Sequence, residues 1–282
     1  MHNLFVNRQQ QLERLRTSLA GTSNKRIILI AAGPGMGKSW LLRRFAQEAV
    51  ESAARQGLLD LRDGHAYDVL NLVRHFRDQL GSDAFQPLTL AINAATAPRI
   101  VPGRIQHIPQ GDAAPPLRDN LLIIQADNPL VMQAIEQQIS QVFFTCLQEL
   151  ERHGPILLLF DSYEHASSNM TRWVGNLTDR WITHELLTRI RDGQLRQTVV
   201  VLAGRHVPQF GHEWDAVMGV LAVDVFTQSD VAAYLREKRG LSMLRDADIA
   251  AIFKLVRGHP QLLAMMADTL VRLVGPGSTY EH

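Results

Sequence analysis

The chain has 282 residues, enough to bury one large apolar core or two smaller ones. Its 29 Lys and Arg stand against 28 Asp and Glu, so no field of one sign favours nucleic acid or an anionic membrane. The single cysteine, Cys146, lies in an apolar run and cannot form an internal disulfide. No basic stretch leads into an apolar leader at the start, and no apolar run is long enough to span a bilayer, so a cytoplasmic, membrane-free protein is expected.

Along the chain, apolar runs of strand length alternate with longer segments of helical period, the pattern of an α/β fold on a mainly parallel sheet. Strands are expected over 26–32, 57–61, 156–160, 198–203 and 220–225. Helices are expected over 38–56, 65–80, 129–153 and 169–192. Residues 82–120 break the rhythm. Pro87, Pro98, Pro102, Pro109, Pro115 and Pro116 are too closely spaced for a continuous helix, and the stretch reads as a surface insertion. The apolar run over 121–124 fits an edge strand or a buried helical turn. After Phe226 the strand pattern stops and helical patterns cover 229–239, 246–257 and 260–274, before Gly275-Pro276-Gly277-Ser278, which reads as a linker or frayed tail. An α/β unit over 1–226 and a small helical unit over 227–282 are therefore expected.

The strongest chemical signal is Ala32-Gly33-Pro34-Gly35-Met36-Gly37-Lys38-Ser39, directly after the first strand and directly before a helix. A triphosphate needs many donors at close quarters. Glycines let the backbone fold into a nest of N–H groups, and the following helix, which opens with Lys38, Ser39 and Trp40, aims its positive end at the same point. Lys38 then reaches the β- and γ-phosphates, and the Ser39 hydroxyl ligates Mg²⁺. Ala32 stands where the P-loop pattern has its first glycine.

A P-loop needs a metal-holding acid on a neighbouring strand, and 154–161 supplies an apolar strand ending in Asp161. Glu164, three residues on, is placed to polarise an attacking water. The strand over 198–203 delivers Arg205 to the sheet's carboxyl edge, where ligands of open α/β sheets bind and where a guanidinium can meet a γ-phosphate or pair with a local carboxylate. The histidines form no HExxH and the chain has no CxxC, so no structural metal site is expected.

With these pieces in place, the chain resembles the STAND class of signalling ATPases, the group holding NACHT and NB-ARC modules, within the AAA+ lineage. Phe5-Val6-Asn7-Arg8 with Leu12 and Leu15 resembles the class's opening motif, with Asn7 and Gln9 in place of its glycine and glutamate. Asp161-Ser162-Tyr163-Glu164 is similar to its second-acid Walker B form, Leu202-Ala203-Gly204-Arg205 to its sensor strand, and Gly258-His259-Pro260 to its GxP motif. The resemblance implies a sheet order of 5-1-4-3-2 and adenine contacts from Phe5, Val6, Arg8 and Pro260. It also implies ATP or ADP with Mg²⁺ as ligands, and protein partners or self-assembly on activation. Adenine over guanine rests on this likeness alone, as no NKxD element is present.

The expected function is a slow ATPase switch. Gly33 to Ser39 and Trp40 hold phosphate, Ser39 and Asp161 hold Mg²⁺, and Lys38 and Arg205 meet charge while Glu164 acts as base. The alternatives are a nucleotide-locked scaffold without turnover and an AAA+ motor or DNA-loading ATPase. Arg172, Arg180 and Arg189 are candidates for completing a neighbour's site.

Overall fold

The computed structural model describes residues 8–62, 68–96, 129–168 and 177–274. The strands are β1 (Ile27–Ala31), β2 (Arg55–Asp60), β3 (Ile156–Asp161), β4 (Thr198–Gly204) and β5 (Met218–Val220). All neighbours pair in parallel in the order β2-β3-β4-β1-β5, which read from the other edge is 5-1-4-3-2. The connecting helices are α1 (Gln9–Leu19), α2 (Lys38–Glu51), α3 (Val69–Leu80), α4 (Gln86–Thr96), α5 (Pro129–Glu151) and the short α6 (Glu164–Ser168). α7 follows as Leu177–Arg180, a π-wound stretch Trp181–Leu186, and Leu187–Arg191.

Alternation along the central strands builds the layers, because successive side chains leave opposite faces of a sheet. Ile156, Leu158 and Phe160 join one buried cluster with α3, α4, α5 and α7, whereas Leu157 and Leu159 join the other with α1 and α2. In β1, Ile27 and Leu29 go to the first cluster and Ile28 and Ile30 to the second. Strands buried on both faces read as continuous apolar runs. Full burial of such side chains contributes about 1.5–3 kcal/mol each.

Beyond the sheet, α8 (Gln228–Ala233, continuing π-wound over Tyr234–Lys238), α9 (Asp246–Val256) and α10 (Pro260–Val274) close on an apolar cluster of their own. It includes Val231, Leu235, Ile249, Ile252 and Leu263. α8 opens with a reciprocal capping box, in which the Thr227 side chain accepts from Asp230 N–H and the Asp230 carboxylate accepts from Thr227 N–H.

Several elements depart from expectation. Residues 82–96 are not irregular: a 3₁₀ turn, Ser82–Phe85, leads into α4, and Phe85, Leu88 and Ile92 are buried. Pro87 sits in the first turn of α4, where its missing N–H removes no helical bond. The rest of the supposed insertion and the run over 121–124 lie outside the described residues. α2 ends at Glu51, five residues early, because Ala53 takes φ 55° and turns the chain into β2.

α3 starts at Val69, where Asp68 accepts from Asn71 N–H at 2.6 Å. The α1 helix was not anticipated, and it explains why β5 is shorter than expected and displaced from 220–225. Past Val220 the carbonyls of Ala222 and Asp224 accept from Gln11 Nε2 at 2.9 Å and Arg8 Nη2 at 2.7 Å, so side chains of the α1 region take the place of a continued ladder. Among the described residues, no helix is long and apolar enough to cross a membrane.

The entry to β4 is held by one buried acid. Glu151, at the end of α5, accepts from Arg196 N–H at 3.0 Å, Gln197 N–H at 2.8 Å and Thr198 Oγ1 at 2.7 Å. Replacing it by alanine orphans those donors, and a loss of about 3 kcal/mol in unfolding free energy is expected from urea denaturation.

Candidate functional site

The turn between β1 and α2 alternates in hand. Gly35 (φ 71°) and Gly37 (φ 86°) occupy the left-handed region that favours glycine. The helical ladder starts only with Leu41 N–H donating to Gly37 O at 2.9 Å. The amides of Gly35, Met36, Gly37, Lys38, Ser39 and Trp40 have no acceptor among the described residues. Successive N–H groups left open at a helix N-terminus make a site for an anion.

These amides open on a cavity of about 720 Å³, in the ~300–1,000 Å³ range of small-molecule sites. Pro34 to Trp40, Arg8, Asp161, Glu164, Arg205 and Pro260, all singled out from sequence, stand on its wall. Gly33 does not. Its carbonyl, with that of Ala32, instead accepts from Lys38 Nζ, at 2.8 and 2.6 Å. Partial burial lowers the Lys38 pKa, with Glu164 and Asp161 pulling it up and Arg205 pushing it down. Phe5, Val6 and Arg172 lie outside the described residues. Arg189 is committed within its own chain, stacked over Phe144 at 4.0 Å and bonded to Glu185 at 2.6 Å, whereas Arg180 is exposed.

At the end of β3, Asp161 is buried and its Oδ1 accepts from Ser162 N–H at 2.8 Å. Ser162 takes φ 57°, and this turn carries Tyr163 inward, where its N–H donates to Ala203 O and its hydroxyl to Asp179. Glu164 is thereby delivered to the end of β4. Its Oε2 accepts from Arg205 N–H at 2.8 Å, and Arg205 Nε lies 3.4 Å from Oε1. Burial alone would raise the Glu164 pKa. The Arg205 amide, a backbone bond of its own and the Lys38 charge outweigh it and hold the carboxyl below its ordinary value.

Gly204 makes this approach possible. A Cβ there would meet Glu164 Oε2 at 2.7 Å and His206 O at 2.8 Å. Of the two roles open to Arg205 from sequence, pairing with a local carboxylate is the one seen here.

The helices after the sheet also line the cavity, with Pro260, Gln261, Ala264 and Asp268 of α10, Tyr234 of α8 and Arg239 just past its end. Arg239 pairs with Asp268. Arg8, buried at φ 146°, lies over the Phe226 ring at 5.2 Å, and burial lowers its pKa against the pull of Asp224 and Asp230. Phe226, Tyr234, Arg239, Gln261 and Asp268 went unnoticed in the sequence. Only the Gln261 and Asp268 positions carried a signal: with Pro260 and Ala264 they fall on one face at helical spacing.

No protein-family model matches the chain, and no curated protein does. Solved structures do. The ORC2 protein of Aeropyrum pernix, in its ADPNP and ADP complexes, superposes at TM-score 0.54 and 12% identity over 99% of this chain. Its ADP form superposes at 0.51 over 97%. AMPPCP-bound DnaA from Aquifex aeolicus follows at 0.49 and 13% identity over 98%. This chain spans 66% of the length of each of the three. The chain shares the fold of the ORC2 protein.

Gly258 ties the turn before α10 to Phe226 on the cavity wall. It takes φ 70°, its carbonyl accepts from Phe226 N–H at 2.8 Å, and a Cβ on it would overlap the Phe226 carbonyl. Gly258→Ala is expected to lose more than about 2 kcal/mol, strain and overlap together. Hydrogen exchange should show the loosening concentrated in residues 228–274.

Proposed function

We propose that this chain is an ATP-binding and ATP-hydrolysing module in which bound nucleotide bridges the α/β domain (1–226) and a helical domain (227–282). The carrying observation is the run of amides from Gly35 to Trp40 with no acceptor among the described residues, opening on a cavity that also holds Lys38, Asp161, Glu164 and Arg205. The separate apolar cluster of the helical residues supports the division into two units.

The Ser39 hydroxyl and Asp161 carboxylate suit Mg²⁺, a hard cation that takes oxygen donors and keeps several waters. Asp161 uses Oδ1 on the Ser162 amide, which leaves Oδ2 for a cation. Mg²⁺ would neutralise charge on the phosphate oxygens. The open amides bind and orient the phosphates, and Lys38 exchanges its two loop carbonyls for phosphate oxygens. Glu164 takes a proton from water as the water oxygen bonds to the terminal phosphorus and that phosphorus's bond to the departing ADP oxygen breaks. To act as base, Glu164 exchanges its Arg205 amide and guanidinium partners for that water. Arg205, once released, meets the terminal phosphate.

The likeness to the ORC2 protein favours an AAA+ ATPase of the DNA-loading or motor kind. The second reading is a STAND-like switch, in which the nucleotide sets domain orientation and assembly with protein partners. It is favoured by the direct seating of α10 on the phosphate loop.

Phosphate release from ATP–Mg²⁺ tests the proposal. Lys38→Ala should abolish measurable binding, and Glu164→Gln should retain ATP while slowing release by about 100-fold. Acceleration by duplex DNA would support the first reading, and DNA-independent slow turnover the second. ATP binding with no release by the wild type would instead mark a nucleotide-locked scaffold.

A further inference from the structure

The start of α10 is hydrogen-bonded directly to the phosphate loop. His259 Nε2 lies 3.2 Å from Pro34 O, and Gln261 N–H donates to Gly35 O at 3.2 Å. A carbonyl only accepts, so the ring carries its proton on Nε2. The other ring nitrogen, Nδ1, faces Leu262 N–H at 3.5 Å, the arrangement that tautomer requires.

The approach is close. A Cβ on Gly35 would collide with the Gln261 side chain and meet His259 Cε1 at 2.6 Å. The residue that gives the loop its left-handed turn is therefore also the one that lets the helical unit touch it.

Each peptide is planar and trans, so a carbonyl pinned one way fixes the N–H of the next residue the opposite way. Holding Pro34 C=O against His259 turns Gly35 N–H away from α10, and holding Gly35 C=O against the Gln261 amide does the same for Met36 N–H. Those are two of the acceptor-free amides of the loop. Neither His259 nor Gln261 needs to touch a nucleotide to act in this way.

Resting on the nucleotide-binding reading above, we infer that His259 and the Gln261 amide are positioning groups. They hold the Gly35 and Met36 amides in anion-binding orientation, and so couple the seating of the helical unit to the grip on polyphosphate. Lifting α10 from the loop frees both peptides to rotate and loosens the phosphates, with no change in the residues that contact them.

The experiment measures release of a fluorescent ADP analogue and its competition by inorganic pyrophosphate, in wild type, His259→Ala and His259→Gln. Wild-type binding of ADP checks the underlying reading separately, and its failure would count against that reading. With binding established, His259→Ala should speed release and weaken pyrophosphate about tenfold, roughly one hydrogen bond. His259→Gln, whose side-chain amide can donate to Pro34 O, should restore most of it. Wild-type behaviour in the alanine variant overturns the inference, and so does failure of glutamine to rescue. Should the histidine variants not fold, Gln261→Pro removes the second donor at a first-turn position that tolerates proline. Unchanged release in that variant also overturns the inference.

Discussion

A stretch of backbone amides without internal acceptors is unfavourable unless something else satisfies it, and the loop from Gly35 to Trp40 concentrates at one point amides with no acceptor among the described residues. The rest of the structure is arranged around that constraint. β1 lies between β4 and β5 and brings the loop to the carboxyl edge of the sheet. β3 brings Asp161 and β4 brings Arg205 to the same edge, and the fully buried strands beneath keep those ends in register. α2 leaves the loop in the direction that adds its dipole to the open N–H groups.

Cations around the cavity are held by groups of the chain itself. Lys38 is held on loop carbonyls, and Glu164 and Arg205 hold each other. Arg239 is held by Asp268. Under the proposed function, a polyanion entering this cavity would compete for each of these cations. The start of α10 adds two contacts on the loop itself, one from the His259 ring and one from Gln261 N–H.

Much of this was legible in the sequence because the informative signals are local. The glycine-rich turn with Lys38 and Ser39, and the apolar strands ending in Asp161 and Arg205, each depend on neighbours within about eight residues. The sheet order came from a family resemblance and agrees with the structure. The misreadings arose where tertiary contacts decide. Pro87 signals irregularity by composition, yet in the first turn of a helix it is compatible with burying Leu88 and Ile92. β5 stops early because Gln11 and Arg8, far away in sequence, bond the carbonyls that would have extended it. Arg239 and Asp268 are 29 residues apart and meet only once the helices pack.

The central claim is that this loop holds an adenine nucleotide. Its most direct test is to denature freshly purified protein, identify any released nucleotide by mass spectrometry, and titrate nucleotide-stripped protein with ADP and ATP–Mg²⁺ by calorimetry. The account predicts retained ADP or ATP, or saturable binding of either that Lys38→Ala abolishes. Absence of any adenine-nucleotide binding by the stripped, folded protein would contradict it.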